Sequence, residues 1–169
     1  MKSKKRRAEM ICFRETSIGR IGIGVDDGGN TVTHLFFENY SYDLSKVADS
    51  SLETPLHKSA FSQLEEYLDG RRMEFDLPLA PKGSEFMTKV WDALLKIPYG
   101  ETVCYQEIAA AAGNIKAVRA AGMANNRNPI PIFIPCHRVI GKNGKLVGFG
   151  GGLDLKQKLL DLEKNVNQK

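Results

Sequence analysis

The stretch Asn128-Pro129-Ile130-Pro131-Ile132-Phe133-Ile134-Pro135-Cys136-His137-Arg138-Val139 constrains this chain more than any other. Pro129, Pro131 and Pro135 each fix φ, remove a backbone donor and push the preceding residue toward extended geometry. The segment can be neither helix nor central strand. It reads as a stiff, extended, buried rod with a thiol at its end and an imidazole beside it. So much rigidity around one cysteine points to a cysteine in use.

With 169 residues, 42% hydrophobic and 26% charged, the chain is expected to be soluble, with one or two small domains. No apolar run approaches the roughly 18 residues of a membrane helix, so no membrane partner is expected. The start, Met1-Lys2-Ser3-Lys4-Lys5-Arg6-Arg7, is basic but lacks the apolar core of a secretory signal. Residues 1–9 read as a basic, disordered tail. Cysteines at 12, 104 and 136 are odd in number and scattered, unlike a disulfide framework or a zinc site. A reduced interior fits better: cytoplasmic, or nuclear in a eukaryotic host. Residues 8–81 hold 6 basic and 13 acidic side chains, whereas residues 82–169 hold 13 and 7. That asymmetry fits a polyanion partner for the second half, or an ordinary fluctuation of surface charge.

From residue 10 to 25 apolar residues alternate loosely, and Asp26-Asp27-Gly28-Gly29-Asn30 is a turn. A strand over 31–38 follows, then a polar loop to about residue 54. Leu56, Ala60, Leu64, Tyr67 and Leu68 recur at helical spacing until Gly70. Arg71 to Leu77 reads as a short strand. His34 and His57 read as surface or packing residues and Cys12 as core. The first half, residues 10–79, is thus an antiparallel sheet with one helix, a structural domain without a site. Pro78 to Gly83 reads as a linker.

Residues 83–169 read differently. Ser84 caps a helix with the apolar face Phe86, Val90, Trp91, Leu94 and Leu95. A helix from Tyr105 to Ala112 ends at Gly113, and Asn114 caps a second helix from Ile115 or Lys116 to about Asn126. The pair has the outline of a winged helix-turn-helix, making the expected fold class α+β. The second helix carries Ala117, Ala120, Ala121, Gly122 and Ala124, with Lys116, Arg119 and Arg127 as its long cations. It lacks an array for reading major-groove edges. Two readings fit: close approach to a minor groove with one arginine projecting, or an Ala-rich helix packed on a neighbour.

Cys136 needs a base or cation to become a thiolate. His137 is adjacent, but neighbours in an extended segment face opposite ways, so contact requires a bend or a water. Lys145 to Phe149 reads as extended, and Gly150-Gly151-Gly152 opens a last helix burying Leu155, Leu159 and Leu162. The glycines offer backbone donors suited to an oxyanion. Glu163 falls in the last turn, where a carboxylate favours a cationic partner. His137 is one candidate, giving Cys136–His137–Glu163; a solvated surface role is the alternative.

These motifs together resemble the O6-alkylguanine-DNA alkyltransferases: Asn128-Pro129-Ile130-Pro131, Pro135-Cys136-His137-Arg138-Val139, Ile97-Pro98-Tyr99-Gly100-Glu101-Thr102 and Ala117-x-Arg119-Ala120. The resemblance runs ungapped from about Gly83 to Glu163; before that it holds in outline. It implies direct repair of double-stranded DNA by a monomer that acts once. The helix pair enters the minor groove and flips the alkylated guanine. Cys136 then takes the alkyl group from O6 of guanine, or O4 of thymine, as a thioether. His137, acting through a water and held by Glu163, is the implied base. Tyr105 protonates the leaving guanine and contacts the backbone, and Asn128 braces the turn. Arg119 fills the gap left by the base, with Lys116, Ala117, Ala120 and Arg127 on the DNA. Carbonyls of Cys136 and Val139 read the guanine amino group, while Phe149, Gly150, Gly151 and Pro131 line the pocket. No cofactor is implied.

Some family members carry a structural zinc; Cys12, His34 and His57 do not reproduce its four ligands, so no metal is expected. Position 104 is Cys where Ser or Thr is usual. Non-repairing relatives replace the cysteine with tryptophan, and Cys136 argues against that class. A cysteine hydrolase has no use for the helix pair. The glycine run suggests a roomy pocket that tolerates bulky adducts.

Overall fold

A computed structural model of the chain describes residues 9–38, 49 and 52–167. The basic tail, up to residue 8, and most of the polar loop lie outside them. The first three strands form an antiparallel meander, β1 (Met10–Thr16), β2 (Gly19–Val25) and β3 (Val32–Phe37), in that spatial order. Met10 pairs with Val25 and Thr16 with Gly19, whose φ of +102° closes the first hairpin. Helix α1 (Pro55–Leu68) begins with Thr54 as N-cap and proline in its first turn, and the chain turns at Gly70 (φ +75°). It buries Ala60, Phe61, Leu64 and Tyr67 against the sheet.

The strand expected from Arg71 to Leu77 does not form. Side chains of α1 take its backbone groups instead: Gln63 Nε2 donates to Asp76 O (3.1 Å) and Gln63 Oε1 accepts from Asp76 N–H (2.8 Å). At Leu79 this segment reaches β3, in a parallel bridge to Val32. Val32 N–H donates to Pro78 O and Ala80 N–H to Val32 O. The expected linker is therefore fastened to the sheet.

Helix α2 (Glu85–Leu94), capped by Ser84, packs against the helix pair α3 (Tyr105–Ala111) and α4 (Val118–Asn126). Gly113 takes φ +99° between that pair, as its C-cap role requires. Asn114 does not cap α4. Its Oδ1 accepts from Lys116 N–H and its carbonyl from Ala117 N–H, forming a separate turn that delays the helix to Val118. Cys104 is the N-cap of α3, and Glu107 reaches back to accept its N–H (2.7 Å). That half of a capping box needs no hydroxyl at 104, which explains why Cys serves there.

The proline-rich segment is buried but not an extended rod. Ile134 N–H donates back to Ile130 O (2.9 Å), Pro131 bridges to Ile134, and Ile132 adopts φ +72°. The prolines exclude a helix, yet their spacing leaves 132–134 free to fold back. Cys136–Arg138 forms a single 3-10 turn, followed by β5 (Val139–Ile140), which pairs parallel with β4 (Val103–Cys104). Residues 145–149 are irregular rather than a strand, and α5 (Leu153–Asn167) closes the chain.

One core runs through both halves. Leu35 N–H of β3 donates to Pro129 O (2.9 Å), and the Phe37 ring lies 5.6 Å from that of Phe149. Trp91, 1% exposed, donates its indole N–H to Ala124 O in the last turn of α4 (3.0 Å). Gly83 packs so closely that a Cβ there would run into the Trp91 ring. Trp91→Phe leaves that carbonyl unpaired and a small cavity, costing about 2 kcal/mol. Urea unfolding checks this: a lower midpoint with an unchanged slope is expected.

Candidate active site

Cys136 and His137 lie together in the 3-10 turn rather than in an extended strand. Asn128 holds the loop on both sides: its Nδ2 donates to Ile134 O (2.8 Å) and its Oδ1 accepts from Ile130 N–H (3.0 Å). The Cys136 side chain is 5% exposed. Burial pushes its thiol up to about 11, although a hydrogen bond with Asn128 and the charge of Lys156 pull the other way. At neutral pH the group is a thiol and needs a base.

His137 is completely buried and its Nε2 lies 2.8 Å from Glu163 Oε1. Burial is the main reason its pKa is lowered, so the ring is neutral. Glu163 is 1% exposed, which rules out the solvated surface role. It accepts from Arg138 Nε and Nη2 (2.9 Å each), from the Tyr67 hydroxyl (2.7 Å) and from Gly100 N–H (3.2 Å). Burial alone would raise its carboxyl. Hydrogen bonds and charges from His137 and Arg138 hold it down at about 2. An ionised carboxylate only accepts, so His137 Nε2 must carry the ring proton. His137 Nδ1, buried and without a hydrogen-bond partner among the described residues, is left as a lone pair. A neutral imidazole with a free Nδ1 thus follows the thiol by one residue in the same 3-10 turn.

A niche of about 20 Å³ lies against Cys136, lined by Asn125, Asn126, Asn128, Pro131, Gly148, Phe149 and Gly150. It has room for about one water. The roomy pocket expected from the glycines is not there: a Cβ at Gly151 would collide with Leu155, and Gly152 N–H donates to Phe149 O. Tyr105, outside the niche lining, donates its hydroxyl to Val147 O (2.7 Å). Burial, then the Cys136 charge, raises its pKa and keeps it a proton donor.

Helix α4 packs one set of its small residues and exposes another. Ala121 and Ala124 pack inward, whereas Ala120 and Arg119 are exposed and Ala117 is half-buried. Lys116, Arg119 and Arg127 flank an open groove of about 530 Å³ beside Phe86 and Met87. Val139 is buried in β5 with its carbonyl accepting from Lys156 Nζ (2.6 Å); the second lone pair stays available.

Three participants went unread in the sequence. Lys156, fully buried, ties Val139 O to Val147 O of the neighbouring loop (3.1 Å). Its burial lowers its pKa, partly offset by Cys136. The signal was present: 156, 159 and 163 share one helical face, interleaved with the apolar spacing of 155, 159 and 162. Arg138 sat inside the motif, and Tyr67 counted only as apolar. Among the described residues, no group of three or more His, Cys, Asp and Glu is placed to hold a metal ion.

Comparison with known proteins matches this architecture. Residues 85–165 fit the family profile described as 6-O-methylguanine DNA methyltransferase, DNA binding domain, and residues 13–81 fit the ribonuclease-like domain of the same enzyme. A methylated-DNA–protein-cysteine methyltransferase of Methanosarcina barkeri is 48% identical over 89% of this chain and 94% of its own. The constitutive enzyme of that name from Bacillus subtilis is 46% identical over 89% and 92%. The crystal structure of Mycobacterium tuberculosis OGT in complex with DNA superposes with a TM-score of 0.83 at 41% identity, covering 93% of this chain and 94% of that one. The chain belongs to the 6-O-methylguanine DNA methyltransferase family.

Stability carried by the Glu163 carboxylate is complete above its ordinary value of 4.5 and is lost as pH falls toward about 2. Glu163→Gln leaves the Arg138 guanidinium buried without its counter-charge, a loss of about 3–5 kcal/mol at pH 7. Urea midpoints measured from pH 7 down to 2 are expected to converge for the two proteins below pH 4.5.

Proposed function

We propose that this protein repairs alkylated DNA directly, moving the alkyl group from O6 of guanine, and O4 of thymine, in the duplex onto Sγ of Cys136. The observation that carries the reading is a buried thiol followed in one 3-10 turn by a neutral imidazole whose free nitrogen is Nδ1 and whose other nitrogen is anchored on an ionised carboxylate. The names of the relatives describe the same acceptor chemistry, and the DNA complex of the mycobacterial structure supports DNA as partner.

The residues divide the work as follows. Residues 83–169 bind DNA and accept the alkyl group, and residues 10–79 buttress them. Lys116 and Arg127 supply charge along the backbone, while Ala117 and Ala120 let α4 approach the minor groove closely. Arg119 fills the stack where the damaged base leaves. The flipped base enters between Pro131, Val139, Phe149, Gly150 and Gly151. Because the niche holds about one water, the Phe149–Gly150 segment must yield as the base enters. His137 Nδ1 takes the thiol proton through one water. The thiolate forms the S–C bond as the C–O6 bond breaks, and the displaced guanine regains a ring proton, with Tyr105 as donor. Asn128 keeps Cys136 aimed. Thiol and alkyl ether become thioether and guanine, no co-reactant is needed, and nothing regenerates the thiol. The protein acts once, as an intracellular monomer.

Intact mass after incubation with a duplex carrying one O6-methylguanine tests this. A gain of about 14 Da, one methyl for one hydrogen, is expected on the Cys136 peptide and none in Cys136→Ala. Tight binding without a mass change refutes the reading. Arg119→Ala is expected to slow transfer from the duplex by tenfold or more while leaving reaction with the free alkylated base unchanged, since flipping costs about a few kcal/mol. Single-turnover rates on the two substrates separate these.

A further inference from the structure

We infer that Tyr67, contributed by the first half of the chain, is a positioning residue of the proton relay. Its hydroxyl donates into Glu163 Oε1 at 2.7 Å and its oxygen lies 3.3 Å from His137 Nε2, while Nε2 and Oε1 are 2.8 Å apart. The three atoms close a triangle in a buried space. Tyr67 is fully buried, and its ring is wedged between Phe75 (centroids 5.3 Å apart) and Tyr99 (6.1 Å), so the hydroxyl has one place to go.

The geometry has a chemical consequence. A hydroxyl that gives its hydrogen to an anion becomes a better acceptor itself. Tyr67 therefore carries part of the Glu163 charge onto an oxygen facing the imidazole. When His137 becomes an imidazolium, its Nε2–H points at two electron-rich oxygens rather than one. Desolvation and the neighbouring Glu163 keep the phenol protonated, so it holds this role without competing for the proton. The other charged or titratable groups bearing on the site are Arg138 beside Glu163, Lys156 on α5, Tyr99 against the Tyr67 ring, and Cys136 itself. None of them offers a second acceptor to Nε2. The sheet-and-helix half is thus part of the reacting apparatus and not only its buttress.

The inference rests on the alkyl-transfer reading, and single-turnover methyl transfer to Cys136 measured from pH 6 to 10 tests both. Tyr67→Phe keeps the ring and removes only the hydroxyl. It is expected to transfer about tenfold more slowly at pH 7 with unchanged affinity for the duplex. The deficit should shrink toward pH 10, as hydroxide begins to ionise a thiol whose own value is about 11. A deficit of equal size at every pH, accompanied by a lower unfolding midpoint, marks a merely structural role and overturns the inference. So does a full rate at pH 7, or a loss confined to DNA affinity. Should Tyr67→Phe not fold, 3-fluorotyrosine placed at position 67 alone keeps ring and hydroxyl. It makes the hydroxyl a poorer acceptor toward His137, so transfer at pH 7 is expected to slow; an unchanged rate overturns the inference. A parent protein that takes no methyl at all refutes the alkyl-transfer reading instead.

Discussion

The buried carboxylate of Glu163 is the constraint on which the other parts depend. Three segments far apart in the chain aim donors at it from around α5, which carries it: α1 through Tyr67, the turn after Ile97 through Gly100, and the cysteine turn through His137 and Arg138. An ion taken out of water costs several kcal/mol unless its lone pairs are filled, so each segment has one acceptable placement. Arg138 extends the same demand by donating to Ile97 O (2.7 Å) while its guanidinium lies 5.6 Å from the centre of the Tyr99 ring. The hydrophobic core brings the halves together, and the carboxylate sets their register.

That division explains which features were legible in the sequence. The three strands, α1, α2, α3 and α5 follow from periodicity and caps, because each is decided by neighbours in the chain. Cys136, His137 and Asn128 fall within one short signature. Two of the failures share a cause: a side chain from another segment took over backbone groups that local rules assign to a ladder. Gln63 did so for residues 71–77, and Lys156 and Tyr105 took carbonyls of the 145–149 loop. Asn128 likewise made a folded turn cheaper than the rod its prolines suggested. Tyr67 and Glu163 are 96 residues apart, and no spacing rule reaches that far.

Helix α4 resolves two demands within nine residues. Inward, alanines let α2 and α3 sit close enough for Trp91 and Tyr105 to grip it; the Tyr105 ring lies 3.6 Å from where a Cβ on Gly122 would be. Outward, it exposes small side chains and few cations. Close packing and an open, cation-flanked surface are then held on opposite sides of one short helix.

The niche at Cys136 and the state of its thiol have a consequence for storage. A protein that is consumed by its own reaction loses capacity each time its sulfur meets a stray oxidant or soluble electrophile. Thiolate is the vulnerable form, and here burial holds the sulfur as a thiol behind a 5% exposed surface. Dormancy of this kind gives the molecule a long shelf life in the cell. Its count of active copies then records the damage met rather than the time elapsed.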